Sequence, residues 1–129
     1  MAEFSGASWA VVLPSAWQGE HDEECASIFN EDGVGVLQLS AYKKSSQVSE
    51  QDLMDFASEH IEAGAKTQLV DCGDFSGFTL NFCVANEYWR RWYFRVGSLA
   101  LFVTYYCDAE DRDVEELQVN AILGSLRLI

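Results

Sequence analysis

The sequence predicts an α+β domain in which a mostly antiparallel sheet of about six to seven strands carries two packed helices, in the order β-ββ-α-ββββ-α. Three observations predict it. Runs of alternating apolar residues are joined by short turns, one capped amphipathic segment interrupts them, and an apolar segment with an acidic start closes the chain. With 129 residues, 49% of them hydrophobic, and one proline, there is apolar material for one core and not two. No repeat, low-complexity segment or linker divides the chain, so residues 1–129 are expected to form a single domain.

Trp9 to Leu13 reads as a strand stopped by Pro14, with Trp17 packing back onto the core beyond the corner. Glu20 to Glu24 reads as a solvated acidic loop. Cys25 to Asn30 and Val34 to Tyr42 flank Asp32-Gly33, a pair that favours positive φ at both central positions of a type I′ hairpin turn. The pairing then sets Ile28 against Leu37, Ala26 against Leu39 and Ser27 against Gln38, which separates an apolar from a more polar face. Ser49 is an N-cap followed by acidic Glu50 and Asp52, and Leu53, Phe56, Ala57, His60 and Ile61 recur at helical spacing before Gly64.

The second half reads as a four-strand meander: Thr67 to Cys72, Phe78 to Ala85, Trp89 to Val96, and Leu99 to Cys107. Gly97-Ser98 suits a type II′ turn that places Val96 against Leu99, Phe94 against Leu101 and Trp92 against Val103. If Phe78, Leu80, Phe82 and Val84 join the same core face as Trp92, parity requires a three-residue loop, Asn86-Glu87-Tyr88, pairing Phe82 with Trp92 and Leu80 with Phe94. The alternative is a sheet covered on both faces. Glu110 to Leu126, acidic at its start and apolar on several sides, reads as a helix docked in a groove.

Eight Lys and Arg against 21 Asp and Glu give a formal charge of −13, which disfavours nucleic acid as a partner and favours a basic protein. The first thirteen residues lack the basic start and long apolar middle of a secretory signal, and no stretch is long enough to span a membrane. A cytoplasmic protein without membrane insertion is expected. Cys25, Cys72, Cys83 and Cys107 show no zinc or dithiol spacing and read as free thiols serving as small buried apolar residues.

The raw materials of catalysis are thin. His21 and His60 are the only histidines; His60 falls on the core stripe of the helix, and His21 falls in the acidic loop. Gly73-Asp74-Phe75-Ser76-Gly77 has one residue too many for a nucleophile elbow. Counting a calcium loop from Asp108 puts Arg112, Asp113 and Val119 at positions that need a ligand, a glycine and a glutamate. No phosphate-binding or dinucleotide motif occurs, so no cofactor, no metal and no enzymatic activity are expected.

The unusual stretch is Trp89-Arg90-Arg91-Trp92-Tyr93-Phe94-Arg95. Alternation sends Trp92 and Phe94 to the core and leaves Trp89, Arg91, Tyr93 and Arg95 opposite, where pairing adds Phe102 and Tyr106. These six residues form the candidate partner-binding surface, since Trp, Tyr and Arg dominate the energetics of protein interfaces. The competing reading is that a helix covers this face and its acids, for instance those of Glu110 to Glu116, pair with the arginines.

The opening strand ending in Leu13-Pro14 with Trp17 after it, the single helix between hairpin and meander, the strand ending Thr104-Tyr105-Tyr106-Cys107, and the terminal Ile122-Leu123-Gly124-Ser125-Leu126 carry a resemblance. The layout resembles the Mog1/PsbP-like fold, including bacterial relatives among small type VI secretion chaperones and adaptors. That resemblance implies a non-enzymatic binding role without identifying the partner. With the negative charge, which favours a basic partner, the expected protein is an adaptor or chaperone for a secreted effector or an immunity protein neutralising a basic toxin. Two other readings stay open: a small ligand-binding domain or enzyme using Cys25, His21 or His60, and a homodimer built on the aromatic–Arg surface.

Overall fold

Alternating runs joined by tight turns pair with their neighbours, and in the computed structural model, which describes residues 1–129, every strand pairing is antiparallel. The elements are β1 (Ala2–Ser5), β2 (Trp9–Leu13), β3 (Trp17–His21), β4 (Ala26–Asn30), β5 (Gly35–Lys43), α1 (Glu50–Phe56), α2 (Ser58–Glu62), β6 (Gln68–Cys72), β7 (Phe75–Val84), β8 (Glu87–Val96), β9 (Leu99–Asp108), α3 (Glu116–Gly124) and β10 (Arg127–Leu128). A seven-stranded sheet has the order β3-β4-β5-β9-β8-β7-β6, and a three-stranded sheet has the order β1-β2-β10. This is the α+β architecture the sequence predicts. No helix is long and apolar enough to cross a membrane.

The expected pairings of Ile28 with Leu37 and of Trp92 with Val103 are present. The first is reached through different turn chemistry. Neither Asp32 nor Gly33 takes positive φ. Instead the Gly33 N–H donates to the Asn30 carbonyl at 2.8 Å and the Asp32 N–H to Asn30 Oδ1 at 3.0 Å, so Asn30 organises a four-residue loop that keeps the same register. Gly97, at φ +57, supplies the conformation its turn requires.

The β7–β8 register differs from the expected one. A two-residue turn, Ala85-Asn86 with Ala85 at φ +54, sets Phe82 against Trp89 and Leu80 against Arg91. The three-residue loop assumed a single core face. The sheet in fact has apolar layers on both sides, which removes the parity argument. On one side Ile28, Leu37, Leu39, Trp92, Phe94, Leu101 and Val103 pack with Trp9, Val11 and Leu13 of the small sheet and with Val119, Ile122 and Leu123 of α3. On the other, Phe78, Leu80, Tyr93 and Ala100 pack with Val48, Leu53 and Ala57.

Ser49 caps α1 as its sequence suggests: Ser49 Oγ accepts from the Asp52 N–H at 3.0 Å, and Asp52 accepts from the Ser49 N–H at 2.9 Å. The Lys44 ammonium, 2.7 Å away, leads the interactions that hold the Asp52 carboxyl below its ordinary value. The helical segment is interrupted at Ala57 (φ −94, ψ 1), giving α1 and α2 in place of one helix. The closing helix is also shorter than expected. Ala109–Asp111 form a single 3-10 turn, and α3 starts at Glu116. Glu20 and His21, expected in a loop, lie in edge strand β3, where both are exposed.

All four cysteines are free, as expected, but only Cys72 and Cys107 are buried. Burial pushes the Cys25, Cys72 and Cys107 thiols and the Tyr88, Tyr93 and Tyr105 phenols up from their ordinary values. The folded chain therefore keeps protons that the unfolded chain releases. Their contribution to stability is complete below the unfolded thiol pKa of about 8.5 and declines as pH rises through it and through the phenol value of about 10. The urea midpoint is expected to be lower at about pH 10 than at about pH 7.5. A midpoint unchanged or higher at the alkaline pH would contradict this.

Candidate interaction face

The register lays side chains of the α1–α2 side of the large sheet in rows that cross it. One row is Phe29, Val36, Tyr106, Trp89 and Phe82; the next is Ser27, Gln38, Thr104, Arg91 and Leu80; a third is Ser40, Phe102, Tyr93 and Phe78. All six residues singled out in the sequence lie on this side, and the helices divide them. Tyr93 is buried, whereas Trp89, Arg91, Arg95, Phe102 and Tyr106 are half-buried.

Arg95 is tied down. Its guanidinium donates to the Val48 carbonyl at 3.3 Å and to Glu50 Oε1 at 3.4 Å. A helix therefore does cover part of the face, but it is α1, and the pairing acid is Glu50 and none of Glu110 to Glu116. Burial holds α1 in place far more than the ion pair does. Val48 and Leu53 contribute about 1.5–3 kcal/mol each, whereas a pair with an exposed carboxylate is worth less than about 1 kcal/mol.

Beyond α1 and α2, toward β9 and β5, the face is open, and its aromatic rings touch one another. Trp89 stacks on Tyr106 with ring centroids 4.9 Å apart and on Phe82 at 6.4 Å. Phe102 meets Phe56 edge-on at 4.8 Å, and Phe56, itself 50% exposed, meets Tyr42 at 5.8 Å. His60 of α2 stacks on Phe82 at 4.5 Å. Burial, reinforced by the Arg91 charge, lowers its pKa against the pull of Glu59, so the ring is neutral at pH 7.

Arg91 stands at the centre of this surface. The three ion pairs of the chain use Lys44, Arg95 and Arg127, leaving Arg91 outside them. Its Cζ lies 6.0 Å from the Trp89 ring centroid, and its Nε is buried without a hydrogen-bond partner. Burying a guanidinium nitrogen in this way is costly, and such groups call for an explanation. Sequence reasoning missed Phe82, His60 and Phe56 as members of the face. Single-face parity puts Phe82 on the other side, and helical spacing puts His60 and Phe56 on the core stripe.

The alternative catalytic residues do not converge. The Cys25 thiol donates to Asp22 Oδ2 at 3.4 Å, and burial followed by that bond pushes its pKa up, the wrong direction for a nucleophile. His21 stacks on Phe4 at 4.7 Å. His60 stacks on a β7 residue, with β5, β9 and β8 between β7 and the β4 end of the sheet where Cys25 lies. The carboxylates of Asp108, Glu110 and Asp111 approach one another within 4.8 Å, with Asp108 and Glu110 exposed.

No protein-family model and no curated protein matches this chain. Solved structures do. The mycobacterial protein LpqN, described as involved in cell envelope biogenesis of Mycobacterium tuberculosis, superposes with a TM-score of 0.66 at 11% identity, over 93% of this chain and 82% of LpqN. Cyanobacterial PsbP (CyanoP) from Synechocystis sp. PCC 6803 gives a TM-score of 0.64 at 10% identity, over 99% of this chain and 92% of that one. The fold is PsbP-like. A Bacteroides thetaiotaomicron VPI-5482 protein gives a TM-score of 0.65 at 16% identity over 94% of this chain, which spans 45% of that longer one. At these identities the likeness is one of fold alone.

Proposed function

We propose that this protein is a non-enzymatic binding module that takes a protein partner on the open part of its large sheet. The observation that carries this is Arg91, a cation outside every ion pair with a buried, unpartnered Nε, set among Trp89, Tyr106, Phe82 and Phe102. A contiguous aromatic surface around an unpaired arginine has the composition of an interface hot spot. The finer reading is a cytosolic bacterial protein whose partner is basic. It would serve either as an adaptor or chaperone for a secreted effector, of the type VI kind the sequence resemblance implies, or as an immunity protein for a toxin. The net charge of −13 supports a basic partner by steering encounter, and free thiols, with Cys83 exposed, suit a reducing compartment.

Affinity capture from the parent cell at low and high salt, with wild type beside a Trp89→Ala/Arg91→Ala double variant, tests the proposal. A partner retained by wild type and weakened about a hundredfold in the double variant is the expected result, because two hot-spot side chains are removed. Equal retention by both proteins, or no partner under either salt condition, overturns it. Light scattering on Arg91→Glu addresses the homodimer. A dimer that this substitution dissolves would assign the face to a second copy.

A further inference from the structure

A second surface lies at the β6 edge of the large sheet, where the third of the side-chain rows ends in Phe78. β6 is an edge strand, so its outward backbone N–H and C=O groups have no strand to pair with. At the opposite edge the Phe4 ring lies over the face of β3, where a Cβ on Gly19 would overlap it. At β6 the edge borders a groove of about 280 Å³ between α1 and β6–β7, walled by Leu53, Met54, Leu69 and Phe78 with Glu50 and Asp71 at its rim. Leu69 is 86% exposed, an unusual setting for a leucine in a strand, and pairs with Phe78 on the α1 side of the sheet. The one arginine lining the groove, Arg95, is already engaged by Glu50 and Val48.

We infer that β6 and this groove form a strand-addition site for an extended, basic segment of a partner protein. Register dictates its pattern. A strand laid beside β6 places two residues, two positions apart, on the α1 side opposite Leu69 and Asp71, and the residue between them beside Val70 on the other side. The first of these extends the apolar wall of Leu53, Met54 and Leu69, and the second meets the Asp71 carboxylate. The segment therefore reads apolar-x-basic, or its reverse if the added strand runs the other way. The acidic rim and the net charge of −13 select the basic residue over an acidic one.

A fluorescein-labelled peptide, Lys-Val-Ile-Val-Lys-Thr with blocked ends, tests this by anisotropy against a control with both lysines replaced by glutamate. The lysine peptide is expected to bind at least about tenfold tighter than the control, and Asp71→Lys to reverse that preference. Leu69→Lys replaces one apolar residue of the wall, at an exposed position where the fold is kept, by a cation that also repels the peptide lysines, and should weaken the lysine peptide about tenfold. Trp89→Ala should leave its affinity unchanged, and binding should slow hydrogen exchange at β6 amides. Failure of the lysine peptide to bind, equal binding by Leu69→Lys, or weakening by Trp89→Ala each overturns the inference. So does a dimer dissolved by Leu69→Lys, which would give the edge to a second copy.

Discussion

Gly73→Ala is expected to destabilise the protein by about 3 kcal/mol or more and to free the C-terminal strand from its site. Gly73 sits at φ +57, and a Cβ placed on it would overlap the Leu126 carbonyl oxygen. That oxygen cannot yield locally. It accepts from the Asp74 N–H at 3.2 Å, while Asp74 Oδ2 accepts from the Leu128 N–H at 2.9 Å, so this short loop between β6 and β7 anchors the entry to β10. Gly97 supplies an internal control. It has the same φ of +57, yet a Cβ there meets nothing within 4 Å. Gly97→Ala should therefore cost only the left-handed backbone penalty of about 1 to 2 kcal/mol. Denaturant midpoints of the two variants separate backbone strain from collision, and hydrogen exchange at Arg127 and Leu128 should accelerate in Gly73→Ala alone. Equal losses in both variants would refute the collision.

These glycines show what is legible in a sequence and what is not. A turn residue between two apolar runs reports its own neighbourhood, so Gly97-Ser98 located the β8–β9 register, and Ser49 with Asp52 located the start of α1. Even at Asp32-Gly33, where the turn type differs from the expected one, the apolar alternation of β4 and β5 still chose the register. The β7–β8 pairing failed for a reason that is not local. Whether Phe78 and Leu80 belong with Trp92 depends on what covers the second side of the sheet, and that is decided by α1 docking over residues far away in the chain.

The candidate face divides in the same way. That Trp89, Arg91, Tyr93, Arg95, Phe102 and Tyr106 share a side of the sheet follows from alternation and register, and they do share it. Which of them a helix covers does not follow. Tyr93 lies in the layer under α1 and Arg95 reaches Val48, a residue 47 positions earlier, so both became visible only in three dimensions. Arg91 and Trp89 differ from them only in lying along the strand beyond the reach of α1. That short distance separates side chains packed under α1 from half-buried ones beyond it.

Glu115 is the sharpest case of a long-range role hidden in an ordinary stretch. Among the acids between Asp108 and Glu116 it resembles the others, which read as acids at a helix start or as partners of the arginines on the sheet. In the fold it is 5% exposed. Its Oε1 accepts from the Tyr105 hydroxyl at 2.7 Å and from the Gly35 N–H at 3.0 Å, joining the start of α3 to β9 and to the first residue of β5. Truncation would leave both donors without an acceptor in a region closed to water, where an unsatisfied group costs about 1–3 kcal/mol. Glu115→Ala is therefore expected to lose about 3–4 kcal/mol, with two orphaned donors and a lost side chain acting together. Glu115→Gln keeps one acceptor oxygen and should lose less. Tyr105→Phe removes one donor together with its need for an acceptor and should lose about 1 kcal/mol. If the hydroxyl contact carries the effect, the Glu115→Ala/Tyr105→Phe pair will be less destabilised than the sum of its single variants by about 1 kcal/mol or more. Strict additivity, or a Glu115→Ala loss below about 0.5 kcal/mol, the range of an ordinary surface substitution, would place this carboxylate back among the solvated acids.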